Sequence, residues 1–137
     1  MAYRFEFDGA NKIIAIRYSG DVTFEFFKQF YLTEIPKRIV GWNFRGSIFD
    51  LSDVTSMDFT PQQVRELASY PPADPDPARM RVVVATSAHI FGLCRMFELH
   101  GEETRPNLHV VSSLSQAYAL LQITNPNFEP GREPSRA

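Results

Sequence analysis

Two groups of side chains in this chain have types and spacings that chemistry can use. Cys94 with His89, His100 or His109 supplies what a thiolate nucleophile and its base require, and Asp50, Asp53 and Asp58 are enough carboxylates to hold a divalent cation. Each has a plainer reading. Cys94 recurs with Ile90, Leu93 and Phe97 at helical spacing, on the inward stripe where a free cysteine acts as a small hydrophobe. The aspartates suit a loop that turns by bonding its own amides. No two histidines stand at i and i+4, and His100, Glu102 and Glu103 mark a helix end rather than a ligand set. Neither standard glycine-rich phosphate cradle occurs. The expectation is a chain with no catalytic residue, no metal and no cofactor.

The run GSIFDLSDVTSMDFTPQQVREL, residues 46 to 67, offers binding instead. It reads as a strand over 47 to 51, an acidic and hydroxyl-rich loop over 52 to 59, and a helix that begins abruptly. Thr60 suits the cap, Pro61 the first helical position, and Gln63 completes a Thr-x-x-Gln capping box. A helix start carries roughly half a positive charge and unpaired amides. Ser52, Asp53, Thr55, Ser56, Asp58 and Thr60 are therefore the candidate contacts for an anion or for a partner's carboxylate.

The elements that position this corner follow from periodicity. Tyr3, Phe5 and Phe7 alternate with Arg4, Glu6 and Asp8, a turn signal follows at Asp8-Gly9-Ala10-Asn11, and Ile14, Ile16 and Tyr18 resume the alternation, which predicts an antiparallel hairpin. A helix is predicted from Thr23 to about Ile35, ending before Pro36, with Phe27, Phe30 or Tyr31, and Ile35 inward. Phe24 and Phe26 flank that stripe. The helix after Thr60 buries Val64, Leu67 and Ala68. Pro71, Pro72, Pro75 and Pro77 predict an extended surface loop over 71 to 78. Met80 to Ala85 reads as a strand covered on both faces, and Thr86 or Ser87 caps a helix to about His100. Leu108 to Val111 is a last strand. Ser113 and Gln116 form a second capping box before a helix that buries Ala117, Leu120 and Leu121. Residues 124 to 137 have the composition of a loose tail, with Phe128 able to dock.

This order predicts an α/β fold, with an N-terminal antiparallel hairpin and then alternating helices and strands. The expected sheet is mixed, mostly parallel and five-stranded, with four helices over residues 1 to 123. Ligands on such sheets gather at the carboxyl ends of strands, here the loops 52 to 59, 86 to 89 and 112 to 113. At 137 residues and a formal charge of −2 the chain lacks the basic footprint of a nucleic-acid binder. It has no apolar run of membrane-span length. With no signal-like N-terminus and one cysteine, the reading is a cytoplasmic protein.

The strand-loop run Phe49-Asp50-Leu51-Ser52-Asp53-Val54-Thr55-Ser56-Met57-Asp58, set in this element order, resembles the STAS domain of the bacterial SpoIIAA-like anti-sigma-factor antagonists. The stretch Phe91 to Glu98, FGLCRMFE, resembles the SpoIIAA-like branch also labelled STAS/SEC14. In the antagonists a serine at the helix start is phosphorylated to switch partner binding off. Thr60 falls on that serine and is the candidate phosphosite that the resemblance implies, while Phe59 and Pro61 replace the family's serine and glycine. The resemblance implies a non-catalytic regulatory domain presenting loop 52 to 60 and its helix to a protein partner or to a second copy of itself. The SEC14 likeness implies an alternative, a lipid-like or amphiphilic small molecule between helices and sheet, with Phe24, Phe26, Phe91 and Met96 as its residues.

Overall fold

The alternation at the N-terminus folds as a hairpin. β1 (Ala2–Asp8) and β2 (Ile13–Asp21) pair antiparallel from Ala2↔Ser19 to Asp8↔Ile13 in a computed structural model that describes residues 2 to 131. β2 then pairs in parallel with β3 (Gly46–Ser56), β3 with β4 (Met80–Val84), and β4 with β5 (Leu108–Val111). The fold is α/β, with a mixed sheet in the order β5-β4-β3-β2-β1-β6. Its sixth strand, β6 (Glu129–Pro130), corrects the expected count of five. It lies in the segment read as a loose tail and pairs antiparallel with β1 through Phe7↔Glu129.

The first helix, α1, does not stop at Pro36. It runs as an α-helical segment (Phe24–Gln29), a π-helical segment (Phe30–Glu34) and a second α-helical segment (Ile35–Ile39). Proline lacks an N–H, and in a regular helix its ring meets the carbonyl four residues back. The wider turn, closed by Ile35 N–H donating to Phe30 O, carries the chain past that conflict. It also turns both Phe30 and Tyr31 into the core, where a single stripe had room for one of them.

The remaining helices are α2 (Pro61–Ser69), α3 (Ala88–His100) and α4 (Leu114–Leu121). Thr60 and Gln63 form the expected reciprocal box: Gln63 N–H donates to Thr60 Oγ1 at 3.1 Å, and Thr60 N–H to Gln63 Oε1 at 2.9 Å. Ser87, not Thr86, caps α3. At α4 the cap is Ser113, but Gln116 Oε1 accepts from Ser112 and not from Ser113, so the second box is incomplete. Leu120, expected inward, is exposed.

Helices α1, α2 and α3 cover one sheet face and α4 the other, so alternate residues of β2 enter different cores. Ile14, Ile16 and Tyr18 join the first, and Ile13 and Ala15 the second. Gly46 shows how closely α4 approaches. A Cβ there would stand 2.9 Å from Leu121 Cδ2 and 3.0 Å from Met80 O. β3 runs through Ser56 because β2 runs on to Asp21, and the two pair beside a bulge. Ser52 to Ser56 is thus strand, and the predicted loop shrinks to residues 57 to 60.

Candidate ligand cavity

The predicted corner is assembled but mostly occupied with itself. Asp50 Oδ1 accepts from Ser52 N–H at 2.9 Å and from Ser52 Oγ at 2.6 Å, and Asp50 Oδ2 takes Arg17 Nη1 at 2.6 Å. Ser56 Oγ donates to Asp21 across the strand pair. Asp53, Thr55, Asp58 and Thr60 are exposed. The three aspartates therefore do not converge as a cation pocket, because Asp50 turns to the sheet face and Asp58 to solvent. Ser52 and Asp53 instead border an open cleft of about 450 Å³ on the α4 face. There Glu6 bridges Arg4 at 2.7 Å and Arg17 at 2.6 Å. Burial disfavours the Glu6 carboxylate, yet the bonds and charges of Arg17 and Arg4 outweigh it and hold its carboxyl below the usual range.

Cys94 packs against the first core, and burial pushes its thiol up to about 12. A thiolate is negligible at neutral pH, so the candidate dyad has no nucleophile. His89 and His100 lie exposed at opposite ends of α3, and His89 Nε2 is 3.3 Å from Met57 O. Among the described residues no three His, Cys, Asp or Glu side chains are grouped so as to hold a metal ion. No helix among them is long and apolar enough to cross a membrane.

A cavity of about 90 Å³ lies within the first core, between the sheet and α1, α2 and α3. Its walls are Ile16, Tyr18 and Phe49 from the sheet, and Phe27, Tyr31, Val64, Leu93 and Phe97 from the helices. The four apolar residues expected to line such a space do not. Phe24 is buried edge-on against Phe59 at 5.5 Å, Phe26 is 44% exposed, and Phe91 and Met96 pack against the core beside the cavity. Phe24 and Phe26 lie on the flanks of the helical stripe, the one buried in the first core and the other exposed.

One end of the cavity is polar, and it lies at the amino ends of the parallel strands. That is opposite to the expected loops at their carboxyl ends. Arg81, Asp74, Arg105 and Ser47 line it with Pro72 and Ala73. The proline-rich strip is therefore not wholly a surface loop, since Ala73 and Asp74 are buried and close this end. Arg105 is fully engaged. It donates to Tyr31 Oη from Nε at 3.1 Å and from Nη2 at 2.7 Å, and to the carbonyls of Ala68 at 3.1 Å and Tyr70 at 2.7 Å, which finish α2. Its charge has hydrogen-bond partners but no carboxylate among them. Arg81 is 3% exposed, and its Nε and Nη1 have no partner.

Sequence reasoning passed over these residues, because Arg81 was counted within an apolar run. The signal was present in the two-residue period. Arg81, Val83 and Ala85 share a face, and that face meets α1, α2 and α3. No protein-family model matches the chain, and no curated protein matches it.

Proposed function

We propose that this protein binds a small apolar or amphiphilic molecule, without catalysis, in the cavity between the sheet and helices α1, α2 and α3. The observation that carries the reading is an apolar space inside the core with a buried guanidinium at one end. Native packing leaves few voids, and ligand pockets combine apolar walls with a few placed polar groups. The test is native mass spectrometry of protein purified from cells, with thermal unfolding in the presence of butanol. A ligand that binds only the folded state stabilises it by about 2.7 kcal/mol at a hundred times its Kd. The expected result is an adduct, or a rise in Tm that saturates with concentration. The absence of both adduct and shift sinks the reading.

A second reading, a STAS-like regulatory domain that meets a protein partner or a second copy through residues 52 to 60, has one observation in its favour. Asp58 and Thr60 remain exposed at the start of α2. Phosphorylation of Thr60 would remove its hydroxyl from the cap and place added negative charge at a helix start. Sedimentation of the phosphorylated and unmodified protein, each with and without a candidate partner, separates this reading from the first.

A further inference from the structure

Arg81 stands where a hydrophobe is expected. It belongs to the row Ile14, Ser47, Arg81 and Leu108, which crosses four parallel strands on the cavity face. Of the five N–H bonds of a guanidinium, the Nη2 pair is used: Nη2 donates to the carbonyls of Asp74 and Asp76, both at 2.6 Å. Nε and Nη1 meet no acceptor, and the residue is 3% exposed. A buried charged donor without a partner is costly, and native structures rarely keep one without a reason.

The nearest carboxylate pairs with it only at a distance, without a hydrogen bond. Asp74 Oδ1 accepts from Arg79 Nη1 at 3.0 Å, while its Oδ2 is 3.9 Å from Arg81 Nη2 and has no hydrogen-bond partner. Arg79 also lies 3.7 Å from Asp76. Arg79 and Arg81 face Asp74 and Asp76, and Arg105, which lines the same end of the cavity with no carboxylate among its partners, leaves an excess of one positive charge there. Burial pushes the Arg81 guanidinium below its ordinary value; Asp74 opposes this, and the like charge of Arg105 adds to it. Tyr31 Oη, which accepts twice from Arg105, keeps its own proton to donate.

We propose that the ligand is a small apolar monocarboxylate, its carboxylate held by Arg81 and its hydrocarbon part lying among Phe27, Tyr31, Leu93 and Phe97. This rests on the reading of the cavity as a ligand site and adds the chemical class. A single negative charge balances the excess. A dianion would overshoot it and crowd the carbonyls of Asp74 and Asp76 and the Asp74 carboxylate. The cavity is smaller than the roughly 150 Å³ void that accepts benzene, which limits the tail to a few carbons.

The test is calorimetric titration of the full chain at neutral pH with butanoate, butanol, butylammonium and inorganic phosphate. Butanoate is expected to bind at least about ten-fold tighter than butanol, with no binding of butylammonium or phosphate. Arg81→Met should weaken butanoate roughly 30-fold and abolish its preference over butanol. Equal affinity for butanoate and butanol, or an Arg81→Met protein that keeps its preference, overturns the carboxylate assignment while the cavity reading stands. Phosphate binding as tightly as butanoate overturns it too. If none of the probes binds, both readings fail. Should Arg81→Met not fold, the wild-type comparison decides the matter together with the Arg81 Nε–H resonance, which butanoate should shift and butanol should not.

Discussion

At Thr60 one hydroxyl and one amide exchange bonds with Gln63, so the cap satisfies an orphan donor of α2 and fixes where the chain turns into the helix. Thr60→Ala removes the Oγ1 acceptor and should cost about 1 kcal/mol, read as a lower urea midpoint with an unchanged slope. An unchanged midpoint would show that Pro61 alone sets the helix start. This cap was legible because its signals are local, a side chain and a backbone amide three residues apart. Arg81 was not legible, although its neighbours were. Its environment is made by Asp74 and Asp76 from a loop, Tyr31 from α1 and Arg105 from the approach to β5, and no local pattern announces that convergence. Arg105 was hidden for the same reason, since its acceptors end a helix more than thirty residues away.

The same contrast holds for whole elements. The hairpin, the four helices and strands β1 to β5 follow from period and punctuation, but β6 depends on a docking that sequence alone does not reveal. Asn127 N–H donates to Asp8 Oδ2 at 2.9 Å, Gly131 N–H to Phe5 O at 3.2 Å, and Phe128 stacks on Tyr118 with Arg17 5.4 Å from its ring. The composition of the segment suggested freedom; the aromatic ring and a buried aspartate at the hairpin turn override it. Phe128→Ala should cost about 1 to 2 kcal/mol from the lost ring and cation contacts. Its sharper signature is hydrogen exchange, in which the Asn127 and Gly131 amides should exchange faster while those of β3 and β4 keep their protection. Unchanged exchange at those two amides would mean that the strand pairing holds this segment without the ring. In α1, the sequence marked Pro36 correctly as a conflict but not how it is resolved, because a π turn differs from a helix end only in what the following residues bury. Ile35 and Ile39, both buried, favour continuation.

On the scale of the molecule, the sheet is apolar where helices cover it, Ser47 and Arg81 excepted, and charged where they do not. The α4 face of β1, β2 and β3 carries Arg4, Glu6, Arg17 and Asp50 as one chain of ion pairs, with Glu6 and Asp50 buried. Asp8 is buried as well. Burial disfavours its charge, but hydrogen bonds from Asn127, Asn11 and Ala10 outweigh this and hold its carboxyl below the usual range. Glu6 is depressed in the same sense, from an ordinary value of 4.5, and Asp8 from 3.8. A carboxyl depressed on folding contributes stability that is present above its unfolded value and disappears as pH falls through its folded value. Arg17, whose guanidinium is raised because Glu6 and Asp50 outweigh the effect of burial, stays charged throughout and loses its pairing with Glu6 as that carboxyl protonates. Unfolding free energy should therefore be level near neutrality, begin to fall as pH drops below about 4.5, and decline further below about 3.8. Glu6→Gln should be less stable at neutral pH but lose less between neutrality and about pH 3, since its side chain has no proton to gain. Urea titrations of both proteins across that range check the sign and the residue together. Parallel curves for the two would assign the acid sensitivity to Asp8 and the tail it holds, and would remove Glu6 from the account.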